Sequence, residues 1–212
     1  SEITYGAFDP TVGPLIDAWK IRRGGDVTAE SVIADALSRV GMRHVHIDEA
    51  ASTIRFDREG LWMDWGAIGK GYVLDLAAKF LRGRGIDAAL LSAGTSTIVA
   101  LGAPPGEIGW TVAIPDAAAS ESALPAVLLS DAALSTSACY QNSNGPCDIL
   151  DPRVGRPVSR ASSASIVAPN GTEADALSTA LLVMTREEAI SFFESFPAYR
   201  AVRFSAEGGQ PE

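Results

Sequence analysis

The chain has 212 residues, 47% of them hydrophobic and 20% charged, and carries a formal charge of −9 from 17 basic and 26 acidic side chains. That length can bury a sizeable core in one or two closely joined layers, and with no block of Lys and Arg to track a phosphate backbone, nucleic acid is not an expected partner. No apolar run reaches the ~18 to 20 residues of a membrane helix, and the opening S-E-I-T-Y-G-A-F-D-P lacks the basic-then-apolar signature of a signal peptide, so the chain as given reads as soluble.

In chain order, the first helical pattern covers Thr28 to Val40. Thr28 is placed to cap it, Val32, Ile33, Ala36, Leu37 and Val40 share one face, and Gly41 stands at the stop. Two alternating runs, 43–48 (R-H-V-H-I-D) and 53–57 (T-I-R-F-D), predict a strand pair, and a third run, 61–64, follows the D-R-E-G turn. His44 and His46 then share the polar face of a half-buried strand, as a solvated pair and not as metal ligands. After the glycine-punctuated loop W-G-A-I-G comes a helix from Lys70 to Arg82, ended by Gly83 and Gly85. Strands are predicted at 87–92, 97–102, 110–114, 126–130, 164–168 and 200–204, with 115–125 as a surface excursion and helices near 173–184 and 186–195. This order implies α+β, a mainly antiparallel sheet with helices packed on it.

Three constellations can carry chemistry. In W-G-A-I-G-K-G (65–71), glycines before a helix let backbone approach an anion, the helix start favours negative charge, and Lys70 adds a full positive one. It is neither a Walker loop nor a dinucleotide fingerprint, so a pyrophosphate site and a plain turn with a surface lysine stand open. Asp175 and Thr179 lie one turn apart on one helix face, where a carboxylate and a hydroxyl form half of a hard-cation site. The local alternative is Asp175 favouring the helix dipole and Thr179 bonding back to a carbonyl one turn earlier. The segment D-I-L-D-P-R-V-G-R-P (148–157) offers Asp148 and Asp151 in what its Pro and Gly content marks as an irregular turn. Cys139 and Cys147 are the only cysteines. Their spacing matches no standard zinc pattern, and two free side chains is the favoured expectation over a disulfide.

Five segments in this order resemble the FAD:protein FMN transferases of the ApbE family: G-A-F-D-P-T-V-G-P-L (6–15), M-D-W-G-A-I-G-K-G-Y (63–72), T-S-A-C-Y (136–140), D-I-L-D-P-R-V-G-R-P (148–157) and A-D-A-L-S-T (174–179). The resemblance implies a T-fold-like α+β architecture as a single domain over 1–212 lacking the usual N-terminal segment. It implies a Mg²⁺-dependent reaction in which FAD is cleaved, AMP leaves and FMN is joined to a Thr or Ser hydroxyl of a target flavoprotein. By matching position, the metal is held by Asp175, Thr179 and the main-chain carbonyl of Ala67. Flavin-nucleotide contacts fall to Ala7, Phe8, Asp9, Asp64, Lys70 and Ile149, and Asp148 with Lys70 carries the catalysis. Such a site works by metal, lysine and helix amides on the pyrophosphate, with a base for the acceptor hydroxyl. Family members are commonly exported or anchored outside the inner membrane.

Departures from the family pattern shape the alternatives. Asp148 stands where the family usually has His, exchanging an imidazole that relays protons near neutral pH for a carboxylate. Gly94, Thr95 and Ser96 replace a usual Gly-Gly-Asp, and five residues precede Gly6. These departures motivate a flavin-nucleotide-binding module without turnover as one competing expectation; the other is an FAD pyrophosphatase giving FMN and AMP, with water in place of the acceptor hydroxyl.

Overall fold

The computed structural model describes residues 1–23, 29–114, 126–139, 147–158 and 162–205. The predicted cap Thr28 and the predicted excursion 115–125 lie outside the described residues. In chain order the elements are α1 (Gly13–Ala18), α2 (Glu30–Ser38), β1 (Val45–Asp48), β2 (Thr53–Phe56), α3 (Gly69–Arg82), β3 (Ala89–Ala93), β4 (Thr97–Leu101), β5 (Trp110–Ala113), β6 (Ala126–Leu129), β7 (Ala132–Cys139), β8 (Leu150–Asp151), β9 (Arg156–Pro157), β10 (Ser162–Ala168), α4 (Gly171–Val183), α5 (Arg186–Ser195) and β11 (Arg200–Ser205). They fall into two compact units, Ser1–Trp65 with Gln141–Ser159 and Gly66–Tyr140 with Arg160–Glu212. The class is α+β with antiparallel strand pairing throughout, as expected. Among the described residues no helix is long and apolar enough to cross a membrane.

The first unit is organised by α1 and α2. Pro14, at the start of α1, supplies a helix-ready φ where no amide partner is needed. Leu15, Ile16 and Ala18 of α1 are buried against Ile33 and Ala36 of α2, with Val40 and Leu150. Val32, expected on this buried face, is instead 46% exposed, so the stripe runs through Ile33, Ala36 and Val40. The β1–β2 hairpin pairs Val45 with Phe56 and Asp48 with Thr53. His44 precedes β1 in a 3-10 turn and is buried, with Nδ1 2.8 Å from Asp57 Oδ1, which corrects the expectation of a solvated histidine on the strand. Residues 61–64 form no strand, because the chain there is held differently: Asp64 N donates to the Pro10 carbonyl at 2.7 Å, and the Trp62 ring lies where a Cβ on Gly13 would fall.

The second unit is built on a five-stranded sheet of order β11-β10-β7-β4-β3. Side-chain alternation splits its faces. Ala100, Leu134 and Val167 join Val112 and Leu129 of the β5–β6 hairpin in an apolar cluster. Thr97, Ser135 and Ser137 instead meet side chains of α4. Helix α4 is apolar nearly all round, with Ala174, Leu177, Ala180, Leu181 and Leu182 buried, as befits a helix enclosed by its unit. Helix α5 opens on a capping box in which Thr185 Oγ1 accepts from Glu188 N at 3.2 Å and Glu188 Oε2 accepts from Thr185 N at 2.9 Å. Thr185→Ala removes one half of that exchange and is expected to lose about 1 kcal/mol, about 2–4 °C of Tm for a chain of this size, whereas Thr185→Ser is expected to melt with the parent in thermal unfolding.

Candidate functional site

The second unit brings α3, α4 and the sheet together around one carboxylate. Helix α3 begins after a turn at 66–68, and its first turn meets the first turns of α4 at a distance only glycine permits: a Cβ on Gly71 would lie 2.0 Å from the Gly171 carbonyl oxygen. Asp75, one turn further along α3, accepts from Gly171 N at 2.7 Å and Thr172 N at 2.8 Å, while Asn170 caps Glu173 N at 2.8 Å. The free amides at the start of α4 are thus satisfied, two of them by a side chain from the neighbouring helix, and this sets the register of α4 on α3.

One turn into α4, Asp175 is 2% exposed. Its Oδ2 accepts from Gly71 N at 3.1 Å, and its Oδ1 accepts from Thr97 Oγ1 at 3.2 Å and Ser135 Oγ at 3.4 Å. Lys70 Nζ stands 3.2 Å from the same Oδ1 and donates to the Gly66 carbonyl at 3.3 Å. Thr179 Oγ1 lies 2.9 Å from Ser137 Oγ and donates to the Asp175 carbonyl at 3.4 Å, so the local back-bond considered from the sequence is present as well. Ser137 Oγ also lies 2.8 Å from Ser178 Oγ. Buried polar groups are therefore paired with one another along the α4–sheet seam, as a dry interior requires.

Helix α3 has its N-cap at Ile68, and its first helical bond runs from Tyr72 N to the Ile68 carbonyl at 3.1 Å, so Ala67 lies in the turn before the helix; Gly71 N, one of the amides a helix start leaves free, donates to Asp175 Oδ2. The carboxylate and hydroxyl of α4 and the main-chain carbonyl of the turn before α3 belong to one unit. Among the described residues no three His, Cys, Asp or Glu side chains are grouped to hold a metal. A cation here would rest on a single carboxylate with neutral oxygens, a sparse set that fits Mg²⁺, which usually completes its six positions with water and substrate phosphates.

The remaining predicted positions belong to the first unit. Ala7 is buried, and Phe8 N donates to Thr4 Oγ1 at 3.2 Å. Asp9 is 8% exposed, and its oxygens accept from Thr11 N at 2.9 Å and Met42 N at 3.0 Å, so that its carboxylate ties the Pro10–Val12 turn to the segment before β1. Asp64 is ion-paired with Arg22, whose guanidinium lies 5.8 Å from the Trp62 ring centre. Ile149 exchanges backbone contacts with Val158, whose N donates to its carbonyl at 2.9 Å, and Asp148 beside it is exposed. The predicted irregular turn is a short ladder of β8 and β9, with Asp151 Oδ1 accepting from Arg153 N at 2.9 Å. Neither cysteine is free: both are disulfide-bonded, which corrects the expectation of two thiols.

Thr97, Ser135, Ser137 and Ser178 touch the site and were not singled out from the sequence. Their signal is a run of hydroxyls, S-T-S at 135–137, on a strand facing a helix that carries an acid. At the β3–β4 turn, Gly94 keeps a positive φ of 64°, and the Ser96 carbonyl accepts from Thr136 N at 2.8 Å, so one of the two exchanged residues anchors β7. A cleft of about 650 Å³ in the same unit, lined by Asp75, Lys79, Arg82, Asp131 and Glu173 among others, contains none of the predicted site residues.

Comparison with known proteins converges on one family. Residues 1–203 match the model of the ApbE family. A FAD:protein FMN transferase of Treponema pallidum is 31% identical over 95% of this chain, which spans 61% of that protein's length. The solved ApbE protein of Thermotoga maritima superposes with a TM-score of 0.86 at 29% identity, over all of this chain and 71% of that one. The flavin transferase ApbE of Vibrio cholerae gives 0.85 at 26% identity, over all of this chain and 69% of that one. The five motifs, the α+β fold and these matches agree, and the chain belongs to the ApbE family.

Proposed function

We propose that this chain carries the active site of a FAD:protein FMN transferase, the activity by which its Treponema relative is named. The observation that supports it best is the oxygen set of the second unit: the buried carboxylate of Asp175 and the hydroxyl of Thr179 on α4, with the Ala67 carbonyl in the turn that precedes α3. These three would hold Mg²⁺, which, when bound, supplies charge stabilisation to the pyrophosphate.

The chain's own groups do the rest. Gly71 N, Thr97 Oγ1 and Ser135 Oγ orient the carboxylate of Asp175, so its geometry does not have to be assembled when substrate arrives. Lys70, at the first turn of α3, supplies positive charge to the phosphates. Asp148, an exposed carboxylate, accepts the proton of the acceptor Thr or Ser hydroxyl as its oxygen bonds to the FMN phosphorus. The phosphoanhydride bond then breaks and AMP leaves with its phosphate. Ala7, Phe8, Asp9, Asp64 and Ile149 contact the flavin nucleotide in this reading, Asp9 and Ala7 mainly by fixing the backbone around them.

Incubation with FAD, Mg²⁺ and a candidate flavoprotein tests the proposal. A mass gain of one FMN on the flavoprotein, matched by released AMP, is the expected result. AMP and free FMN without that gain would make the chain a pyrophosphatase, and unreacted bound FAD would make it a binding module, the reading that Asp148 in place of the family's His motivates.

A further inference from the structure

We propose that Lys70 is a tethered stand-in for the metal: its ammonium neutralises Asp175 while no divalent ion is bound, and leaves the carboxylate when one arrives. The inference rests on the cation reading of Asp175.

The Asp175 side chain is 3% exposed, and a carboxylate this deep is expensive without a counter-charge. Among the described residues its ion-pair partner is Lys70, at 3.2 Å from Oδ1. The other contacts of the carboxylate, from Gly71 N, Thr97 Oγ1 and Ser135 Oγ, are neutral donors that orient it without cancelling its charge. The second contact of Lys70 Nζ is the carbonyl of Gly66, 3.3 Å away and next in sequence to Ala67. The ammonium therefore sits on the same kinds of oxygen that the cation reading assigns to a metal, a carboxylate of α4 and a carbonyl of the 66–68 turn.

A divalent cation and an ammonium on one carboxylate oxygen repel each other at contact distance, so the two occupants exclude one another. Lys70 can yield without moving the backbone. Its side chain is 41% exposed and leaves the first turn of α3 on a flexible four-carbon stem. Once displaced it remains within its own length of the site and is available to a phosphate of the incoming nucleotide. One residue thus holds the empty site in order and serves the filled one, and its two roles pull the two affinities in opposite directions.

Titration calorimetry with Mg²⁺ alone, and then with FAD in saturating Mg²⁺, separates the cases. In Lys70→Met, which keeps the stem and removes the charge, Mg²⁺ affinity is expected to rise about fivefold, the upper end of what a half-exposed ion pair contributes, while FAD affinity falls. Lys70→Gln is expected to move both in the same directions, and Lys70→Arg to keep Mg²⁺ affinity at or below the parent. Equal Mg²⁺ affinity in parent and Lys70→Met would overturn the stand-in role and leave the metal reading intact, and weaker affinity would make Lys70 a support of the site. Failure of the parent itself to bind Mg²⁺ would remove the cation reading, and this inference with it.

Discussion

Asp175→Asn is expected to lower Mg²⁺-dependent FMN transfer by about 10²- to 10³-fold, the scale seen when a preorganised electrostatic group is removed from a reaction centre, with little change in folding. The side chain is nearly isosteric, and its surroundings accept the exchange. An amide oxygen can still take the Gly71 N–H now bound to Oδ2, and the amide NH₂ can donate to Thr97 Oγ1 or Ser135 Oγ, since both hydroxyls can turn from donor to acceptor. What disappears is the negative charge, and with it the attraction for a cation and the partner of Lys70. Far-ultraviolet circular dichroism and Tm should stay near the parent while Mg²⁺ titration of the activity loses its saturation. Unchanged transfer kinetics in this variant would take Asp175 out of the site. Asp175→Ala is the harsher comparison, because it strands the Gly71 amide and two hydroxyls in a buried setting and mixes lost chemistry with lost stability.

Much of the second unit was legible because its punctuation is local. Gly83 marks the end of α3, whose predicted start at Lys70 falls within a residue of the observed one, and α5 has the predicted bounds. The start of α4 was less so, since it opens at Gly171, two residues before the predicted start, on the caps Asn170 and Asp75, and Asp75 acts from 96 residues away in sequence. The central strand β7 went unread as a strand. Its A-A-L-S-T-S-A-C has little β-branched or aromatic content, and its strand character comes from pairing with β4 and β10 and from hydroxyls taken up by α4. The same cause hid Ser135 and Ser137 from the site. In the first unit, α1 was missed because six residues carry too little periodicity, although Pro14 marks its start. His44 was placed on the wrong surface because its partner, Asp57, is fixed by the fold of the hairpin and not by alternation. The proposed half-site on α4 is legible as a spacing of four, but the hydrogen bond that joins it to the first turn of α3, Gly71 N to Asp175 Oδ2, is one that no residue pattern displays.

That link makes Gly71 the residue whose replacement is expected to do the most structural damage. Inside a helix a glycine is ordinarily a weakness, and exchange for Ala gains up to about 1 kcal/mol from propensity. At Gly71 the sign reverses. A Cβ there would meet the Gly171 carbonyl oxygen at 2.0 Å, its carbon at 2.4 Å and Thr172 N at 2.8 Å, all backbone, so no side chain can swing aside and one helix must move. Gly71→Val is expected to destabilise the chain by about 3 kcal/mol or more, a fall in Tm of roughly 6–12 °C, and to weaken Mg²⁺ binding in whatever remains folded, because separating α3 from α4 withdraws the amide that orients Asp175. Gly69→Ala is the control within the same helix: a Cβ at that position has nothing within 4 Å, so its Tm should match or slightly exceed the parent's. If the two variants melted alike, the close helix crossing would not be what fixes the position of the carboxylate, even if Asp175 itself proved essential.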